Sequence, residues 1–118
     1  MDIKEGINLF NNSDFFEAHD HFEEMWVNAG RDDKKFYQSL VQLSVGSFHL
    51  VSKNYKGGLS PCCKGTSKLV EYIPDYKGIN TRKLLKEIRI LMKDLNEFFD
   101  EKISNVELEK IPRIEENN

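Results

Sequence analysis

The chain has 118 residues, 17 Lys plus Arg against 20 Asp plus Glu, and is 39% hydrophobic, which is enough for one domain with one core and too little for two. A formal charge of -3 supplies no broad basic field for a phosphate backbone and argues against non-specific nucleic-acid binding. The longest uncharged run, Phe36 to Ser52, contains Gln, Ser, Gly and His and falls short of the roughly 20 apolar residues of a bilayer span. Met1 to Glu5 has neither a basic nor an apolar leader pattern, so the expectation is a cytoplasmic protein with no membrane partner.

Strand signals are nearly absent, and helical spacing of apolar residues runs the length of the chain. A first short helix is predicted from about Asp2 to Phe10, with Ile3, Ile7 and Phe10 on one side, broken by Asn11-Asn12-Ser13. The second runs from Asp14 to about Asn28, with Ser13 as its expected N-cap, and Ala29-Gly30 closes it. The third, near residues 32–54, is apolar around so much of its circumference that it must be the central helix. Gly46 in its middle costs roughly 1 kcal/mol relative to Ala, and close approach by a neighbouring helix is the physical reason to have it.

The fourth helix has two readings. Either it starts at Ser60 with Pro61 in its first turn, or it starts near Tyr55 and kinks at Pro61; both run to about Tyr72 and stop before Pro74. The fifth spans Thr81 to about Lys102, capped by Asn80 or Thr81. The expected organisation is an all-α, compact bundle of about five helices over residues 1–102, followed by a polar tail, 103–118, that trails along the surface or frays. Cys62 and Cys63 are adjacent, a spacing that suits neither a disulfide staple nor a zinc or redox site, and read as reduced thiols in a helix.

One constellation could carry chemistry. At about 100° per residue, Phe15, Phe22, Trp26, His19, Glu23 and Phe16 of the second helix share an arc of about 120°, which predicts that His19 and Glu23 point inward. Glu17, Asp20, His21 and Glu24 fall on the opposite half, where water solvates them. A buried imidazole and carboxylate one turn apart either satisfy each other structurally or converge on a ligand, since i and i+4 is the spacing at which one helix offers two side chains to one metal ion. Trp26 would wall such a pocket. On the central helix Gln38, Gln42, Val45 and His49 form a mostly polar stripe, from which Gln42 or His49 could add a third ligand or a supporting hydrogen bond.

The stretch Asp14-Phe15-Phe16-Glu17-Ala18-His19-Asp20-His21-Phe22-Glu23-Glu24-Met25-Trp26, followed by Phe36-Tyr37-Gln38-Ser39-Leu40-Val41-Gln42-Leu43 and by Asn54 with Gly57-Gly58, resembles the DUF309 family of small all-helical proteins. The resemblance places that family's HxxxExx(W/Y) signature on His19, Glu23 and Trp26 and implies a divalent-metal role for it, without a settled activity. The chain departs from the pattern at Gly58 and Pro61, where members usually carry a larger, helix-favouring residue.

The expected function is therefore a divalent-metal or small-ligand pocket at His19, Glu23 and Trp26, with Gln42 and His49 beside it and His19, Glu23 and His49 as the metal ligands, hydrolytic chemistry being one use of it. The alternative is a non-enzymatic helical interaction module in which the His-Glu pair is structural. The basic edge Arg82, Lys83, Lys86 and Arg89, balanced by Glu87, Asp94 and Glu97, reads as a solvated face, with RNA or an acidic partner as the other option. Phe98, Phe99, Ile103 and Leu108 read as core rather than as a dimer seam, and a homo-oligomer is left open.

Overall fold

The computed structural model describes residues 2–117. Five α-helices follow one another, α1 (Ile3–Asn11), α2 (Phe15–Asn28), α3 (Arg31–Val51), α4 (Tyr55–Leu69) and α5 (Thr81–Phe99), with short 3-10 turns at Val70–Tyr72 and Leu108–Lys110. The predicted all-α architecture is what forms. Each helix packs on its sequence neighbour, α1 on α2, α2 on α3, α3 on α4 and α4 on α5, as short connections dictate. Leu40, Leu43 and Leu50 of α3 are fully buried, which makes α3 the central helix as its all-round apolar surface requires.

The helix ends show why the predicted caps shift. Ser13 adopts a left-handed conformation (φ 65°) and terminates α1: its N–H donates to Phe10 O at 3.0 Å and the next N–H, of Asp14, donates to Leu9 O at 2.9 Å. A residue in that conformation cannot also cap α2, so Asp14 is the N-cap. The same motif ends α3 at Lys53 (φ 62°) and α5 at Glu101 (φ 61°). Asn54 then caps α4 through its side chain, accepting from Gly57 N at 3.0 Å, so the earlier of the two predicted starts is the real one and Pro61 lies inside the helix.

Helices α3 and α4 approach until backbone meets backbone. A Cβ at Gly46 would lie 2.6 Å from Cys62 Sγ and 3.0 Å from Gly58 O, and one at Gly65 would lie 3.1 Å from Ser39 O. The expected close approach at Gly46 is therefore present. Cys62 is buried in this seam, and burial pushes its thiol up to about 12, which makes it a small core residue rather than a nucleophile. Cys63, on the outer side, is exposed and likewise free.

The tail corrects the expectation that it trails or frays. Val106 and Ile114 are buried in the core cluster, and Asn11 clamps Ile114 by donating to its O at 2.9 Å and accepting from its N at 2.7 Å. Further along, Asn80 N donates to Glu115 O and Asn117 N to Gly78 O, tying the tail to the α4–α5 connection.

That connection is held to α3 by a polar clasp. The Tyr76 hydroxyl donates to Asp33 Oδ1 at 2.5 Å and Lys77 Nζ pairs with Asp33 Oδ2 at 2.9 Å, while the rings of Tyr72, Tyr76 and Phe36 meet in tilted and edge-on contacts with centroids 4.7–5.4 Å apart. The Tyr76 hydrogen bond, then the Lys77 pair, hold the Asp33 carboxyl below its ordinary 3.8, and the same bond pushes the Tyr76 phenol up to about 12. Asp33 therefore contributes stability that is present above pH 3.8 and lost as pH falls through its lowered value, and Tyr76 contributes stability that is present below pH 10 and lost as pH rises towards 12. Thermal midpoints of Asp33→Asn measured across pH are expected to lie below the parent near neutrality and to converge on it at both extremes. A constant gap at every pH would show that the clasp is not titrating.

Candidate functional site

Helix α2 positions the residues singled out by the sequence, and its rotation decides their fate. Its fully buried residues are Phe15, Ala18 and Phe22, while His21 and Met25 are half-buried on the same side. The buried arc is thus displaced from the predicted one towards Ala18, because α1 covers that flank. Gly6 of α1 allows it: a Cβ there would fall 2.5 Å from the Phe22 ring and 2.8 Å from His21. His21, predicted to be surface, is half-buried and bonds Asp2 O through Nε2 at 2.7 Å.

The displacement turns the predicted inward pair outward. His19 keeps a side chain 25% exposed and Glu23 one 49% exposed, so Glu23 is on the surface and the expectation that both point into the interior is corrected. The two do meet, with His19 Nε2 3.2 Å from Glu23 Oε2, and Asp20 Oδ1 approaches the other ring nitrogen, Nδ1, at 3.3 Å. Phe16, one turn earlier, is 54% exposed; its ring centroid lies 5.9 Å from that of His19 and 5.9 Å from that of Phe48 on α3. The site is an open aromatic and carboxylate surface. Trp26 packs half-buried against the core beyond it.

The stripe on α3 does not complete the constellation. Gln38, Gln42, Val45 and His49 are all half-buried, along the border between core and water. His49 Nδ1 faces Asn54 Nδ2 at 3.4 Å, and among the described residues no hydrogen bond or ion pair links Gln42 or His49 to His19 or Glu23. No group of three His, Cys, Asp or Glu side chains among the described residues could hold a metal ion. The geometry of the imidazole explains it: Asp20 and Glu23 face different ring nitrogens, whose lone-pair directions diverge, so an ion on Nε2 could take Glu23 but not Asp20. The donor set does not fit the metal role that the sequence resemblance implied. Five cavities of about 210 to 840 Å³ lie mainly along α5 and the C-terminal segment, and none of them takes in His19, Glu23, Trp26, Gln42 or His49.

What sequence reasoning passed over is the asymmetry of the charges on α5. Asp94, counted as balancing the basic edge, is engaged by Lys110 at 2.9 Å, and Lys83 pairs with Glu115 of the tail. Arg82, Lys86, Arg89 and Lys93 form no ion pair among the described residues and follow one another at i, i+4, i+7 and i+11, a spacing visible in the sequence.

A small all-helical domain with a His-x3-Glu-x2-Trp helix on its surface is the class that fold and site define. The family model described as Domain of unknown function (DUF309) matches residues 3–60, which hold α1, α2, α3 and the start of α4. A search of the curated proteins finds no match. No helix among the described residues is long and apolar enough to cross a membrane.

Proposed function

We propose that this protein is a non-enzymatic helical interaction module whose outer α2 face is a contact surface, with His19 and Glu23 fixing each other's side chains on it. The observation that carries this reading is the place of Glu23, half exposed and 3.2 Å from His19 on an open face beside Phe16 and Phe48. Enzymes need reacting groups preorganised in a site shielded from water, and an exposed pair flanked by solvated aromatics suits recognition better than chemistry. Phe16 and Val27, 54% and 66% exposed at the two ends of α2, supply the apolar area that such a surface needs.

The competing reading, a divalent-metal or small-ligand pocket with hydrolytic chemistry, draws on the i, i+4 spacing of His19 and Glu23 and lacks a third ligand. Metal analysis of protein purified without a polyhistidine tag separates the two. The expected result is less than about 0.1 divalent ion per chain and a melting temperature unmoved by chelator, with His19→Ala and Glu23→Gln each shifting stability by less than about 1 kcal/mol, as exposed pairs do. A stoichiometric ion lost in both variants would replace the module by the metal pocket.

A further inference from the structure

The outer faces of α2 and α5 are complementary, and we infer that the partner of the α2 face is the α5 face of a second copy of this chain, in a head-to-tail contact. The inference rests on the interaction-module reading and names its partner.

The α5 face is a ridge of four cations. Arg82, Lys86, Arg89 and Lys93 follow one another along the helix, the first and last eleven residues apart, a rise of about 16 Å. They rim a depression of about 390 Å³ floored by Ile73, Leu85 and Ile90, of which Ile73 and Ile90 are exposed. Four unpaired cations around exposed aliphatic side chains, in a chain whose net charge is -3, form a surface that needs an anionic and partly apolar counterpart.

The α2 face has those properties. Glu17, Asp20 and Glu24 are exposed on one side of the helix, with Glu23 beside them, and Phe16 and Val27 stand out at its two ends, also eleven residues apart. The aliphatic floor of the ridge offers a seat for such side chains, and carboxylates between them fall opposite the cations. Nucleic acid fits less well, because the floor has no aromatic ring on which a base could stack.

One chain cannot satisfy itself. In the packing order α2 sits against α1 and α3, and α5 against α4, and no ion pair joins the two helices among the described residues. A contact between two different surfaces of the same chain is heterologous, so each copy that docks leaves one further face of each kind open, and the assembly grows with concentration.

The experiment is sedimentation of the full chain at low and high salt, with paired charge reversals. The parent is expected to exceed its 13.8 kDa monomer mass as concentration rises at about 0.02 M salt, and to return to monomer at about 0.5 M, where the screening length falls below the reach of the ridge. Lys86→Glu with Arg89→Glu cancels the net charge of the ridge, and Glu17→Lys with Glu24→Lys cancels that of the α2 face. Each variant is expected to be monomeric alone, and an equimolar mixture is expected to assemble, because the unaltered α2 face of the first then meets the unaltered ridge of the second. Glutamine versions of both pairs, which remove charge without reversing it, are expected to weaken assembly at least tenfold and serve where a reversal lowers the melting temperature. A parent that stays monomeric at low salt overturns the inference, including the case in which the cation ridge retains RNA or an acidic peptide instead. Assembly unaffected by salt or by the reversals also overturns it. The metal analysis above tests the module reading separately, so the two can fail independently.

Discussion

Ending the chain at Lys102 is expected to cost most of its stability. The segment beyond it carries Val106 and Ile114, each 2% exposed, together with the strands of hydrogen bonds from Ile114 to Asn11 and from Glu115 and Asn117 to the α4–α5 connection. Two fully buried aliphatic side chains account for about 3–6 kcal/mol. Their removal also bares the part of the core cluster that they cover, and a domain of this size has only about 5–15 kcal/mol in all. Urea unfolding followed by circular dichroism is expected to show the shortened chain largely unfolded at ambient temperature or melting at least about 15 °C below the parent. Asn11→Ala, which severs both bonds to Ile114 and leaves that backbone pair buried and unsatisfied, is expected to cost about 2 kcal/mol. A truncated chain that melts with the parent would show that the segment lies on the core without contributing to it.

The sequence contains the signals for these contacts unevenly. Helix order, the central place of α3 and the reason for Gly46 follow from periodicity and propensity, because both act locally and the chain has few breaks. The tail resisted because its buried anchors, Val106 and Ile114, lie eight residues apart across a single 3-10 turn and irregular backbone, which has no helical or strand period to detect. The rotation of α2 resisted for a different physical reason. Phe16 and Trp26 drew the predicted apolar arc to one side, yet Phe16 is exposed, and the side that is buried is marked by Ala18, a small residue with little weight in any hydrophobic average. Only the partner helix decides between them, and Gly6 of α1, which admits Phe22 and His21, is the distant residue that does so. The Asp33, Tyr76 and Lys77 clasp is likewise a contact across more than forty positions of sequence, invisible to spacing. The candidate site was thus legible as a pair, since His19 and Glu23 do meet, but not as an interior one.

Substitution of Gly46 gives the second large effect, and its sign is the informative part. Helix propensity alone has Gly→Ala in a helix interior stabilising by about 1 kcal/mol. Here the new methyl would stand 2.6 Å from Cys62 Sγ, 3.0 Å from Gly58 O and 3.2 Å from Cys62 N, and two of these three are backbone atoms of α4 that cannot move without moving the helix. Gly46→Ala is therefore expected to destabilise by about 1–3 kcal/mol and Gly46→Val by more than about 3 kcal/mol. The obstacle on the other side of the seam is Leu50 and Gly46 O against Gly58, so the same reversal of sign is expected for Gly58→Ala. Cys62→Ala in the Gly46→Ala background removes the nearest of the three contacts and is expected to recover part of the loss, a coupling that a double-mutant cycle reads directly. It cannot recover all of it, because the carbonyl of Gly58 and the amide of Cys62 remain. A Gly46→Ala protein melting above the parent would mean that α3 and α4 stand farther apart than a glycine requires, and that the glycine-lined seam does not set their spacing.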